Sequence, residues 1–275
     1  MQNDLPIFLK DLSTKKILGE VRGFVPKDTK IYLFGGAVRN AIYFKYFDEE
    51  IIQRDYDCVV IGNGEMFANN LVKGGFVFGS KNFEKAKIFK KARISNPVHK
   101  YNDWLYLDCK IFSSEERINS ILEKISDLTI SGVALDIQFF DSINWISKII
   151  AIPKALDDIK EKKLRLVNPY PINFYKIIRL VSRGFQQPTK SDIIMCLEKL
   201  REITKERFIS NTEKTIRYIG SEEQAIKISK ELGATFNVFN FEEIKFFAPN
   251  LQNNFYRQNN CGDEKGLRHN ADKGF

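Results

Sequence analysis

The sequence predicts an α+β fold: a mixed β-sheet with helices packed on one face, followed by an all-helical region. Three observations carry this. Up to about residue 112, short apolar runs, some ending in glycine turns, alternate with segments of helical periodicity. Beyond about residue 155, apolar residues recur at intervals of three and four, with serine caps and glycine stops. No apolar run approaches the roughly 18 residues that a membrane-spanning helix needs.

Residues 5–22 space apolar and charged positions at helical intervals. Residues 31–36, IYLFGG, read as a short buried strand ending in a glycine turn, and residues 37–47, AVRNAIYFKYF, as the helix that follows. YDCVVIG (56–62) is a second strand, and EMFANNLVKGG (65–75) a helix closed by glycine. AKIF (86–89) and WLYLDCKIF (104–112) read as further strands. This succession sets helices against a mixed sheet. In the second half, residues 173–185, 191–203 and 205–219 are helical in spacing. Ser191 suits an N-cap, with Pro188 just outside. SEEQAIKISKELGA (221–234) has a serine cap, acids in its first turn and a glycine near its end. From Asn250 the chain turns polar and is expected to be poorly ordered.

Hydrophobic residues are 43% of the 275, enough for a substantial core, and the mean hydropathy is −0.29. The four cysteines, Cys58, Cys109, Cys196 and Cys261, stand far apart and form neither a zinc motif nor a disulfide framework. With no basic-then-apolar leader in the first twenty residues, this points to a reducing, cytoplasmic compartment and no membrane partner. The net charge of +8 suits a polyanionic partner and equally a lysine-rich solvated surface.

The chemistry concentrates between residues 35 and 60. On a strand, Asp55 and Asp57 point to the same face. Two adjacent carboxylates repel unless a cation lies between them, and Mg2+ takes one or two protein carboxylates alongside water and phosphate. Gly35 and Gly36 fall where strand becomes helix, so free N–H groups there are placed for an anion, with Arg39 within reach. Alone, the acids read as a solvent-facing pair and the glycines as a chain reversal. Together they set an anion cradle beside a metal clamp, the pairing that nucleotidyl transfer from a triphosphate requires.

GGAVRN followed by RDYDCVV resembles the GGxVRD and DxD motifs of class II tRNA nucleotidyltransferases (CCA-adding enzymes) and bacterial poly(A) polymerases, of the DNA polymerase beta superfamily. Further segments match in order. SDLTISGVALDI (126–137) is similar to the family's RRDFTINALAYDI segment, and ALDDIKEKKLRLVNP (155–169) to the stretch that follows it. PINFYKIIRLVSRGF (171–185) is similar to the EDPLRILRAIRFA helix, and ITKERFISNTEKTI (203–216) to the ER-containing neck helix. The resemblance covers about residues 30 to 220. It implies a nucleotidyltransferase head over 1–168, a helical nucleotide-binding neck over 169–220 and a partial helical body over 221–249, ahead of the polar tail 250–275. By the same resemblance Asp55 and Asp57 bind the metal, Mg2+. Gly35, Gly36 and Arg39 hold the triphosphate, and Asp127 lies near the nucleotide's sugar. Asp108 stands where the superfamily often keeps a third catalytic carboxylate, and equally suits a strand-edge acid facing water.

The departures from the pattern are specific. Asn40 replaces the family's aspartate and brings no charge to a neighbouring arginine. Ile125 and Ser126 replace two arginines, and Ser131 replaces an asparagine. In the base-reading EDxxR element, Ile172, Asn173 and Lys176 stand for Glu, Asp and Arg. An amide both donates and accepts, and lysine lacks the planar fork, so the reading of C and A through their exocyclic amines is altered. Arg179, one turn on, is placed either to restore positive charge near the triphosphate or to form a surface ion pair. The chain is too short for the family's full body and tail, so a full tRNA grip would need a dimer or a partner.

The segment from Ser80 to Arg93 carries Lys81, Lys85, Lys87, Lys90, Lys91 and Arg93 with Phe83 and Phe89 interleaved. It reads as an RNA or phosphate track with aromatic stacking, or as a hairpin with a solvated basic face. His99 and His269 lack metal-ligand spacing, and Trp104 and Trp145 read as packing residues. The function expected is metal-dependent addition of CMP or AMP, from CTP or ATP, to the 3′ end of a tRNA or another small RNA. The alternatives are a catalytically degenerate relative that binds RNA or nucleotide, and nucleotidyl transfer to a non-RNA acceptor.

Overall fold

The computed structural model describes residues 6, 11–49, 55–83, 86–92 and 104–247, the side chains of 80–83, 86 and 247 excepted. The polar tail, His99, His269, Cys261, Lys85 and Arg93 lie outside the described residues. The chain divides into two compact units, Met1–Asn168 and Pro169–Phe275.

The first unit is α+β. Its strands are β1 (Lys30–Phe34), β2 (Asp55–Ile61), β3 (Val77–Phe83), β4 (Ala86–Ala92), β5 (Trp104–Phe112), β6 (Val133–Asp136) and β7 (Ile149–Ala151). They form one seven-stranded sheet in the order β3-β4-β5-β2-β1-β6-β7. β2 and β5 run parallel while the other neighbours are antiparallel, so the sheet is mixed. The helices are α1 (Leu12–Gly23), α2 (Gly36–Phe47), α3 (Gly64–Lys73), α4 (Ile118–Ile125) and α5 (Ala155–Lys160). Alternation along the strands divides the two faces. One carries Ile31, Leu33, Tyr56, Cys58, Val60, Leu105, Leu107 and Cys109, all buried. The other carries the aspartates. Two strands have no counterpart in the sequence analysis, the short β6 and β7.

β3 and β4 pair as a hairpin, the second of the two readings of this segment. Phe89 is buried, edge-on to Phe78, because it alternates onto the apolar face. Lys91 is held by an ion pair with Glu20 and donates 2.9 Å to the Gly74 carbonyl. Trp145 is buried as a packing residue, whereas Trp104 is only half-buried.

A polar clasp closes the first unit. The buried Asp158 carboxylate accepts from Thr129 Oγ1 at 2.6 Å and from Arg165 Nε at 3.0 Å. Thr129 N donates to the Arg165 carbonyl at 3.0 Å, and Leu128 bridges Leu166. The Asn168 amide donates to the carbonyls of Ser126 at 2.7 Å and Glu123 at 2.8 Å, which ties down the end of α4.

The second unit is helical among the described residues: α6 (Asn173–Val181), α7 (Lys190–Leu200), α8 (Lys205–Ile219), α9 (Glu222–Glu231) and α10 (Phe241–Phe247). Ser221 caps α9, its hydroxyl accepting from Gln224 N at 3.3 Å. At α7 the cap is Thr189 rather than Ser191: Thr189 Oγ1 accepts from Asp192 N at 3.2 Å, so the helix starts two residues earlier than a serine cap would set it. Among the described residues no helix is long and apolar enough to cross a membrane.

Removing the Asp158 carboxylate leaves Thr129 Oγ1 and Arg165 Nε without this acceptor. Asp158→Ala is expected to lower stability by about 2–4 kcal/mol in urea denaturation. The exposed neighbour Asp157→Ala is expected to stay within about 0.5 kcal/mol of wild type.

Candidate active site

Strand geometry brings the acids together. Asp55 and Asp57 lie two apart on β2, and Asp57 stands in register with Asp108 on the parallel β5. Adjacent strands are about 4.8 Å apart, so three carboxylates share one patch of one face. Asp55 is exposed, while Asp57 and Asp108 are half-buried. Burial raises the Asp108 carboxyl above its ordinary range; the Lys110 ammonium opposes this and the Asp55 charge adds to it. Asp108 lies on β5, which is paired on both sides in the sheet.

The glycine turn abuts these acids. Gly35 has φ +67° and ψ −125°, a conformation that side chains rarely adopt. A β-carbon on it would stand 3.6 Å from Asp57 Oδ2. Its N–H donates to the Val133 carbonyl at 3.0 Å, which ties the bend to β6. α2 starts at Gly36 with no side-chain cap, so its first N–H groups have no partner within the helix. β1 pairs with β2 so that Phe34, the residue before the bend, stands opposite Asp57. Register thus puts the helix start beside the carboxylate.

Arg39 lies in the first turn of α2. Its Nε and Nη2 both donate to Asn40 Oδ1, at 3.1 and 2.9 Å. The uncharged Asn40 therefore still orients this arginine, because one amide oxygen accepts both arms of the fork. Arg39 Nη1 is buried and has no hydrogen-bond partner among the described residues. Burial lowers the guanidinium pKa, and the charges of Asp127 and Asp57 raise it. An arginine between two acids, with one N–H pair uncommitted, suits a further anion. Asp127 is half-buried; its Oδ1 accepts from Leu128 N at 2.8 Å and its carbonyl from Val167 N at 2.8 Å.

Asn173, Lys176 and Arg179 belong to the second unit, on α6. Asn173 is fully buried and the other two are half-buried. Arg179 Nη1 donates to the buried Thr215 Oγ1 of α8 at 2.8 Å.

Two features of the first unit have no counterpart in the sequence analysis. Lys110 is two residues beyond Asp108 and therefore on the same face, with its ammonium 5.1 Å from the Phe34 ring. The period-two pattern of LDCKIF carried that signal. The Asp158 clasp depends on contacts across 29 and 7 residues, which spacing does not show.

Among the described residues no group of three or more His, Cys, Asp or Glu side chains is disposed around one ion. Asp55 and Asp57 nonetheless make a two-carboxylate oxygen set, which fits Mg2+.

No protein-family model and no curated protein matches the sequence. Solved structures do. The CCA-adding enzyme of Thermotoga maritima complexed with tRNA aligns with TM-score 0.57 and 19% identity, over 81% of this chain and 51% of that one. A CCA-adding enzyme complexed with CTP aligns with TM-score 0.55 and 18% identity, over 79% and 51%. A tRNA-processing enzyme in an apo form aligns with TM-score 0.53 and 16% identity, over 95% and 68%. The fold is thus that of a nucleotidyltransferase head with a helical region after it. The chain spans about half the length of the CCA-adding enzymes it matches.

The raised Asp108 carboxyl has a thermodynamic consequence. Its charged form weighs against folding, so stability is lost as pH rises from the ordinary carboxylate range through the raised value. In EDTA, Asp108→Asn is expected to be more stable than wild type at pH 7. The gain should shrink with acidification and vanish below about pH 3, where the carboxyl is protonated folded and unfolded alike. Urea titrations across that range check it.

Proposed function

We propose that the protein is a metal-dependent RNA 3′-end nucleotidyltransferase. It transfers CMP or AMP from CTP or ATP to a tRNA or another small RNA and releases pyrophosphate. The observation that carries this reading is the placement of the Gly35 bend, 3.6 Å by its missing β-carbon from Asp57 Oδ2, beside a three-carboxylate face. That juxtaposition serves an anion and a cation at once.

In this reading Gly35 and Gly36 admit the triphosphate to the N–H groups at the start of α2. Arg39, oriented by Asn40, directs its uncommitted Nη1 toward the same anion. Asp127 neutralises the far side of that guanidinium and lies near the sugar. Asp55 and Asp57 hold Mg2+, which when bound lowers the charge repulsion between nucleophile and phosphate and steadies the leaving group. The 3′ hydroxyl oxygen forms a bond to the α-phosphorus, the bridging bond to the β-phosphate breaks, and pyrophosphate departs. The hydroxyl proton leaves to the carboxylate face, where Asp108 stands in register with Asp57.

The neighbours' complexes with CTP, ATP and tRNA support this choice of substrates. The retained trio of acids favours catalysis over a degenerate binding role, since a protein that only bound RNA would gain nothing from three clustered negative charges.

Purified protein with Mg2+ and labelled CTP or ATP is expected to extend a short RNA. Asp55→Ala and Asp57→Ala should each reduce transfer at least a thousandfold while the circular dichroism spectrum is unchanged. An Asp55→Ala variant with wild-type turnover would overturn the assignment of the metal ligands.

A further inference from the structure

We propose that the acceptor is received as single-stranded RNA on the β4–β5 surface, with a base stacked on Tyr106 and a backbone phosphate at Lys90. This rests on the nucleotidyltransferase reading above and names what the same site takes as its second substrate.

Trp104, Tyr106 and Asp108 alternate onto one face of β5. Across the sheet Tyr106 stands in register between Asp55 on β2 and Lys90 on β4. One row of the face therefore reads carboxylate, phenol ring, ammonium. Tyr106 is 38% exposed, although its neighbours Leu105 and Leu107 are wholly buried. An aromatic ring left open beside a candidate metal ligand contributes little to the core. Covering it with a planar group recovers the hydrophobic and stacking energy that its exposure forgoes. Lys90 extends the surface: its ammonium lies 4.9 Å from the Trp104 ring centroid, which holds a positive charge one strand from Tyr106.

The chemistry this row fits is alternating base and phosphate. Every base has a face for Tyr106, and stacking on aromatic side chains beside a basic residue is the sequence-tolerant way to hold a single strand. The arrangement also answers an electrostatic problem. An RNA end approaching three carboxylates is repelled, and Lys90 on β4 and Lys110 on β5, two residues beyond Asp108, place positive charge beside them. A small-molecule acceptor is instead held in a concave, largely enclosing pocket, and Tyr106 lies open on a strand.

The test uses the full chain, a fluorescently labelled single-stranded RNA of about eight nucleotides with a free 3′ hydroxyl, and the variants Tyr106→Ala, Tyr106→Phe and Lys90→Gln. Binding is followed by anisotropy, and KM is measured separately for RNA and for the triphosphate. Tyr106→Ala should weaken RNA binding and raise the RNA KM roughly tenfold or more, the size of one lost stack, with the triphosphate KM unchanged. Tyr106→Phe should restore both, which a merely structural defect would not predict for one value alone. Lys90→Gln should weaken binding and flatten its salt dependence. Equal RNA binding and equal RNA KM in Tyr106→Ala and wild type would overturn the proposal, as would wild-type transfer confined to small-molecule or protein acceptors. RNA binding that depends on Tyr106 in a protein without turnover would uphold the platform and refute the catalytic reading.

Discussion

Three carboxylates are gathered here by strand register rather than by the choice of side-chain rotamers, and the local structure answers that concentration of charge. Asp55 and Asp57 share a face because they are two apart, and Asp108 joins them because β5 runs parallel to β2 with that pairing. Side chains on paired strands have little room to part, so the repulsion must be met by cations. Lys110 lies on one flank and Arg39 on the other. Burial nevertheless keeps the Asp108 carboxyl above its ordinary range. A divalent ion between the acids would relieve the crowding further, and the N–H groups that open α2 at Gly36 would receive the phosphate that such an ion carries.

The surroundings hold these parts rigid. The Gly35 bend is tied to β6 through its N–H, and the segment carrying Asp127 is fastened to residues 165–168 by backbone bonds and by the Asn168 amide. Asp158 completes the clasp from beneath. Replacing an acid by Asn40 removes a charge but preserves the geometry, since the single amide oxygen takes both arms of the Arg39 fork.

Much of this was legible in the residues. IYLFGG, YDCVVIG and WLYLDCKIF alternate or end sharply enough to be read as strands, and the acid pair followed from period two alone. What escaped depended on distance along the chain. β6 and β7 are too short to show a period. Thr189 and Ser191 are both competent caps, and only the start of α7 decides between them. The bond from Arg179 to Thr215 spans 36 residues, and no spacing rule finds it. Phe89 looked available for stacking, but alternation turns it inward, while Tyr106, unremarked in the sequence, turns outward.

The central claim is that Asp55 and Asp57 hold a divalent ion against a triphosphate seated on the Gly35 bend. Anomalous diffraction from crystals grown with Mn2+ and a non-hydrolysable ATP or CTP analogue tests it most directly. The account predicts a manganese peak within about 2.3 Å of oxygens from both aspartates, with phosphate oxygens on the N–H groups that open α2. A nucleotide bound elsewhere, or manganese that avoids both aspartates, would contradict it.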